Sequence, residues 1–472
     1  MDAQREIPII YNLFPRLAGH MPKWLPHAAR AAEMGFNWIY INSILHPGYS
    51  GSLYAVKHHY RINPLFLPRS SKKNGMAVLQ HTLSELKAMG LWPMMDLVIN
   101  HTSRDCPLVY EKPFWYLHGK HGEILSPFVR DVDDPRKITV WDDLAEIDNA
   151  GTSDREGLWA YWAELVRYYL RLGFKGFRCD AAYKVPAELW RYLVDVAAQV
   201  DREAVFFAET LGSTEEQTLA LGGAGLHYFF NSSKWWDFEQ PWCLEQHERF
   251  GAIAPSISFP ESHDTARLAA ETHGSEAVQR QRYAFAAVFS AGLMMPIGYE
   301  FGFKRDLDVV FTRPAHWEAP TFDIQKFIRR VNRLKLAHPL LHGEGNLKIS
   351  KCDANILVLE RRTEKAPDKV GLILLNKCCD KAVSLVLPEA TALSPDQRLY
   401  RMCRDDSPWD GEPLIDNSIT LSPAEVALIL EPARVIHESP PLRGDVGEGI
   451  TWGQALSHVP FDGSCRRLKT DN

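Results

Sequence analysis

No stretch of the 472-residue sequence strings together the roughly 18 apolar residues that a bilayer-crossing helix needs, which argues against a membrane partner. An excess of positive charge is also missing. The 53 Lys and Arg against 59 Asp and Glu leave a net charge of -6, the wrong sign for a chain whose main partner is nucleic acid or an anionic surface. Cysteine is sparse: eight residues lie scattered, Cys378 and Cys379 are the only close pair, and no Cys-x-x-Cys or zinc-type spacing occurs. Reduced thiols in a cytoplasmic protein are therefore expected. Residues Met1 to Glu6 are polar and lead straight into a β run, so no secretory leader is read there. No Gly-x-Gly-x-x-Gly follows an early strand, which disfavours a doubly wound dinucleotide-binding sheet.

What is present is material for a large core. Hydrophobic residues make up 46% and charged residues 24%, a globular balance. The length exceeds one ordinary domain but fits one large barrel with attachments. The 14 Trp and 16 Tyr are numerous enough to supply stacking surfaces as well as core.

The chain alternates strand and helix. Ile7–Phe14 reads as a strand and Trp24–Met34 as a helix stopped by Gly35, followed by the β run Asn37–Asn42. The unit recurs as helix Met76–Met89, Gly90 and strand Leu91–Ile99, then as helix Leu158–Leu172, Gly173 and strand Phe174–Cys179. A helix at Ala187–Val200 and a strand at Ala204–Ala208 continue it. Such alternation predicts a parallel sheet with right-handed crossovers, closed into an eight-stranded (β/α)8 barrel; an open doubly wound sheet is the alternative. The expected organisation is a barrel from 1–100 and 155–335 and an inserted subdomain at 101–154. A C-terminal antiparallel β-sandwich follows at 336–435, and a Pro/Gly-rich tail at 436–472 receives no role.

Chemistry concentrates where barrel strands end. In Gly173-Phe-Lys-Gly-Phe-Arg-Cys-Asp180 an apolar strand is broken by Arg178 and Asp180, two residues apart, either a buried structural pair or a site carboxylate kept ionised by a guanidinium. Asp96 lies in Asp96-Leu-Val-Ile-Asn-His101, Glu209 ends Phe206-Phe-Ala-Glu, and Asp264 follows His263. A lone acid at a strand end is commonly a helix cap. Four on one rim, with His101, His263 and Arg178 beside them, point to a site. The apolar lead-in Val205–Ala208 favours a protonated Glu209 by desolvation.

These motifs, in this order, resemble those of the α-amylase family: Asp96 to His101, Gly176-Phe-Arg-Cys-Asp180, Ala208-Glu209 and His263-Asp264. The resemblance extends over about residues 7–435 and implies a retaining α-glycosidase or transglycosylase. It implies Asp180 as nucleophile, Glu209 as general acid/base and Asp264 as a carboxylate holding sugar hydroxyls. Tyr54 would be an aromatic platform under the sugar, His101 and His263 donors to it, and Asp96 and Asn100 structural support for the site. Gly298-Tyr-Glu-Phe-Gly302 resembles the family's last-strand ending. The implied partner is an α-glucan or maltooligosaccharide, with no cofactor required and no nucleic acid or membrane.

Departures matter too. Asp180 is followed by Ala-Ala-Tyr183-Lys184, where many family members carry Lys-His, so a structural calcium near Asn100 is not expected even though Asn100 is kept. Leu144–Asn149 matches a fifth family motif only loosely. Glu111–His118, Phe207–Thr210 and Asn231–Trp235 resemble maltosyltransferases that use maltose 1-phosphate, whose phosphate-binding Lys-Tyr stretch has at most Arg136-Lys137-Ile138 as a counterpart. Hydrolysis of α-1,4-glucans is the first expectation and transglycosylation the second. A catalytically dead binding relative would be expected to lack one of Asp180, Glu209 and Asp264; all three are present.

Overall fold

A computed structural model describes residues 7–68, 74–130, 136–387, 396–415 and 417–432. The polar start and the tail at 436–472 fall outside the described residues. Eight parallel strands close into a barrel: β1 (Ile9–Leu13), β2 (Trp38–Ile41), β3 (Trp92–Leu97), β4 (Gly176–Cys179), β5 (Val205–Ala208), β6 (Tyr228–Phe230), β7 (Ser256–Ser258) and β8 (Gly292–Pro296). Each strand pairs with its sequence neighbours, and β8 pairs with β1, so no edge is left open. A helix follows every strand: α1 (Trp24–Glu33), α2 (Gly75–Ala88), α3 (Arg155–Leu172), α4 (Ala187–Val200), α5 (Glu215–Leu219), α6 (Trp242–Gly251), α7 (Glu276–Phe289) and α8 (Gln325–Ala337).

The strands are buried on both sides, which explains their continuous apolar runs. Alternate residues Ile10, Trp38, Tyr40, Met94, Phe207, Phe230, Ile257 and Met294 fill the barrel interior. Their neighbours Ile9, Ile39, Met95, Phe177 and Phe206 pack outward in the core that the helices share. Gly176 holds an inner position because Trp38 occupies the space: a Cβ there would meet the Val205 carbonyl oxygen at 2.8 Å and Trp38 Cζ3 at 3.0 Å. Gly35, Gly90 and Gly173 all take positive φ after their helices, as the helix-stop reading requires. The last-strand motif fastens the seam between β8 and β1, where buried Glu300 accepts from Tyr11 Oη at 2.9 Å and pairs with Arg30.

Between β3 and α3 the chain makes an excursion with short strands of its own. His101–Ser103 pairs with Leu144–Glu146, and Phe128–Arg130 with Ile138–Val140. Asp154 ends the excursion by capping α3 through the Gly157 amide. A second hairpin, Leu45–Pro47 with Val56–Ile62, lies between β2 and α2; its short, irregular register gave little alternation to read in the sequence.

Beyond α8 lies an antiparallel six-stranded sheet with a separate pair, Val383–Val386 and Ser418–Leu421, against it. Period-2 alternation divides its residues: Val358, Leu372 and Leu374 face Leu385 and Ile419 of the pair, while Leu357, Leu359 and Ile373 join the core around the barrel. Arg361 reaches from this sheet to the Phe289 carbonyl at the end of α7, at 3.0 Å.

Candidate active site

The same alternation builds the site. On β4 it sends Arg178 inward and continues to Asp180; on β3 it sends Asp96 inward, in register with Arg178; on β5 it leads through Phe207 to Glu209. A cation therefore points into a barrel whose lower layers are apolar, and its charge must be met there. Arg178 Nη1 donates to Asp96 Oδ1 at 2.9 Å and to Asp180 Oδ1 at 2.8 Å. Nη2 lies 3.4 Å from Asp264 Oδ2 and 3.8 Å from Glu209 Oε2. One buried guanidinium thus gathers all four carboxylates singled out in the sequence.

Asp96 is saturated. Besides Arg178 it accepts from Tyr40 Oη at 2.7 Å, Tyr54 Oη at 3.1 Å and the Ser43 amide at 2.8 Å. With no oxygen left over and almost no exposure it holds Arg178 rather than a ligand. Asn42 completes this layer, donating to the hydroxyls of Tyr40 and Tyr54. Sequence reasoning passed over Tyr40 and Asn42, yet both occupy the inward alternation of β2.

Glu209 is held by backbone. The Ala181 amide donates to Oε2 at 2.9 Å and the Leu211 amide to Oε1. Ala181 takes φ 41 and ψ 52, a left-handed conformation rare for a residue with a Cβ. That turn, immediately after Asp180, aims its N–H at Glu209. Burial raises the Glu209 carboxyl, Arg178 opposes, and the charges of Asp180 and Asp264 add to the rise, leaving it at about 7. Asp264 behaves oppositely. Burial works to raise it, but His263 and then Arg178 outweigh that and hold it at about 2. Its side chain is 37% exposed, the most open of the four.

His263 Nε2 stands 3.0 Å from Asp264 Oδ2 and 2.7 Å from Tyr54 Oη, and its ring stacks on Tyr54 with an interplanar angle of 10°. Tyr54 thus carries a layer of the site as well as offering an aromatic surface. His101 is buried, its Nε2 3.2 Å from the Tyr54 carbonyl oxygen, and burial lowers its pKa. Asn100 keeps Oδ1 buried without a partner among the described residues. Calcium needs several oxygen ligands. Among the described residues no three His, Cys, Asp or Glu side chains gather to hold a metal.

Asn231 points away from the barrel interior and donates to the hydroxyls of Ser256, Ser258 and Ser290 at 2.8–3.0 Å. Asn149 donates to the Ile99 carbonyl and accepts from Trp162. Arg136 and Lys137 are exposed beside the strand Ile138–Val140.

Residues 6–116 match the family of the glucanotransferase domain of glycogen debranching enzyme. An α-1,4-glucan:maltose-1-phosphate maltosyltransferase of Burkholderia pseudomallei is 26% identical over 382 residues, covering 78% of this chain and 33% of that protein. Its namesake from Myxococcus xanthus is 24% identical over 475 residues, covering 89% of this chain and 67% of that protein. The chain therefore spans a third of the first of these relatives. Among solved structures, an α-amylase from Lactobacillus plantarum superimposes with a TM-score of 0.71 at 19% identity, covering 91% of this chain and 99% of that one. At that identity the likeness speaks for the fold alone.

Proposed function

The chain is a relative of the α-amylase family with similarity to maltosyltransferases, and on that premise we propose that it is a retaining enzyme acting on α-1,4-glucans through a covalent glycosyl-aspartate. The carrying observation is the gathering of Asp180, Glu209 and Asp264 around one guanidinium, with burial raising Glu209 to about 7. Retention needs one carboxylate ionised to attack and another protonated to release the leaving oxygen. Arg178 holds Asp180 Oδ1, while Oδ2 accepts no hydrogen bond from a described residue and is left for attack.

In the first step Asp180 attacks the anomeric carbon while Glu209 gives its proton to the glycosidic oxygen; the C1–O bond breaks and an ester forms. In the second step Glu209, now ionised, takes a proton from the incoming hydroxyl as its oxygen bonds C1 and the ester breaks. Asp264, ionised at any working pH, accepts hydrogen bonds from sugar hydroxyls, and His263 orients it.

Hydrolysis and transfer share this chemistry and differ in whether water or a sugar takes the glycosyl group. The names of the two maltosyltransferases and of the matched glucanotransferase domain support transfer; hydrolysis is the second reading. Products from maltoheptaose, run with and without inorganic phosphate, test both. Chains longer than the substrate mean transfer, maltose 1-phosphate formed only with phosphate means maltosyl transfer, and short products alone mean hydrolysis. No product under any condition would overturn the assignment.

A further inference from the structure

Two tryptophans follow one another in the loop after β6, and the fold treats them oppositely. Trp236 is buried, its rings against Phe285 and Phe289 of α7 and its indole N–H donating to the Gln240 carbonyl oxygen at 2.7 Å. Trp235 is left 47% exposed. An apolar ring of that size in water needs a reason, because indoles are highly buried on average. Its exposure does not come from a loose loop. Asn231 anchors the start, its Nδ2 on three serine hydroxyls and its Oδ1 accepting from the Ser233 amide at 3.1 Å. Ser233–Trp235 forms a helical turn, with the Trp235 amide donating to the Ser232 carbonyl oxygen at 3.1 Å. Lys234 donates to Glu271 Oε2 at 3.1 Å and stands 5.7 Å from the Trp235 ring centroid. The indole meets the Phe259 ring edge to face, with centroids 6.3 Å apart and an interplanar angle of 89°. The ring is therefore held before any ligand arrives, which lowers the ordering cost of binding.

The ring also stands next to the site. Phe259, which it touches, and Ser232, three residues before it, line one cavity with Glu209, Leu211, Phe230 and Asp264. The loops after β5 and β6 are joined, Thr210 Oγ1 donating to the Phe230 carbonyl oxygen at 2.8 Å. In the barrel order β6 follows β5 on the side away from β4. Asp180 extends β4 and Glu209 extends β5, so Trp235 lies beyond Glu209 as seen from the proposed nucleophile. That is the side toward which a group bonded to the oxygen that Glu209 protonates extends.

We propose that Trp235 is the platform for the acceptor sugar: its exposed indole stacks against a glucosyl ring of an incoming α-glucan and holds it beside Glu209. The inference rests on the double-displacement reading above. A pyranose presents a face of C–H groups that an indole covers, while its hydroxyls stay free at the edge. Held so, the acceptor hydroxyl oxygen bonds C1 as its proton passes to Glu209 and the ester to Asp180 breaks. Water gains nothing from the platform, so Trp235 favours transfer over hydrolysis. The stretch Asn231–Trp235 then divides its work: Asn231 and Lys234 fix the loop, and Trp235 meets the ligand.

The test compares the wild type with Trp235→Ala, which removes the ring, and Trp235→Phe, which keeps a smaller one. The donor is α-maltosyl fluoride and the acceptor maltotetraose. The half-saturating concentration of maltotetraose for transfer should rise about tenfold in Trp235→Ala, the weight of one half-covered aromatic ring, and less than about threefold in Trp235→Phe. An unchanged value in Trp235→Ala would overturn the platform. So would a lower saturated rate at an unchanged half-saturating concentration, the mark of a structural role, or an equal rise in Trp235→Phe. Fluoride release by the wild type with no transfer at any acceptor concentration would overturn the acceptor role. A wild type that releases no fluoride would refute the double displacement instead. Calorimetry with maltotetraose then decides the platform: weaker binding in Trp235→Ala than in the wild type supports it, and equal binding overturns it.

Discussion

Arg178 and Asp96 stand opposite each other on neighbouring parallel strands, and a single nitrogen, Nη1, joins Asp96 Oδ1 at 2.9 Å to Asp180 Oδ1 at 2.8 Å. Asp96 has three further donors and no free oxygen, so it fixes where the guanidinium sits. The guanidinium in turn fixes Asp180. Four carboxylates around one cation would leave a large negative excess if all were ionised. A proton on Glu209 relieves part of it, and this is the proton that the proposed first step needs.

Asp96→Asn tests the anchor. It keeps the shape but withdraws one of the charges that face buried Arg178, leaving Asp180 at 2.8 Å and Asp264 at 3.4 Å. Stability should fall by roughly 2–4 kcal/mol in urea denaturation, with turnover lowered as well. A loss within error of zero would show that Asp96 carries no such load.

Glu209→Gln removes the proposed acid and base at once. Turnover of α-glucans should drop by about a thousandfold, within the range for a positioned acid–base group. The wild-type rate should decline as pH rises through about 7, where Glu209 loses its proton, and that limb should vanish in the residual activity of the variant. A wild-type rate that stays flat from pH 6 to 9 would contradict the assignment.

The same substitution bears on stability with a definite sign. A Glu raised from its unfolded value to about 7 holds a proton in the fold that the unfolded chain has already lost, so rising pH erodes stability up to about 7. Glu209→Gln abolishes this and should stabilise the protein at pH 8 by roughly 1–3 kcal/mol, with little effect at pH 4. Equal stability of the two proteins at both values, measured by urea titration, would count against the raised pKa.

Ala181 offers a backbone test. Its φ of 41 suits glycine and strains a β-branched residue. Ala181→Val should cost about 1–3 kcal/mol and lower turnover by moving the N–H away from Glu209, whereas Ala181→Gly should keep both. Full activity in Ala181→Val would show that this amide does not position the acid.

The barrel was legible because burial on both faces writes apolar strands, and glycines after α1, α2 and α3 mark where each helix must turn left-handed. The strands β6 and β7, three residues each, were not read: at that length alternation has no room to repeat. The four carboxylates stood out because each breaks an apolar run. What could not be read was the convergence itself. Asp96 and Arg178 are 82 residues apart and meet only through strand register, and Tyr40 and Asn42 look like ordinary strand residues until β2 is closed against β3. Tyr54 was singled out as a platform, but its hydrogen bonds to Asp96 and His263 join two separate loops and a strand and leave no local trace.

The most direct test of the central claim is to trap the glycosyl-enzyme. In Glu209→Gln, α-maltosyl fluoride supplies a leaving group that needs no proton, so the ester can form, while the missing base slows its breakdown. Mass spectrometry of a proteolytic digest should find a maltosyl increment on the peptide carrying Asp180, absent when Asp180 is also replaced by Ala. Turnover of the fluoride with no increment, or an increment on another carboxylate, would contradict the double displacement at Asp180.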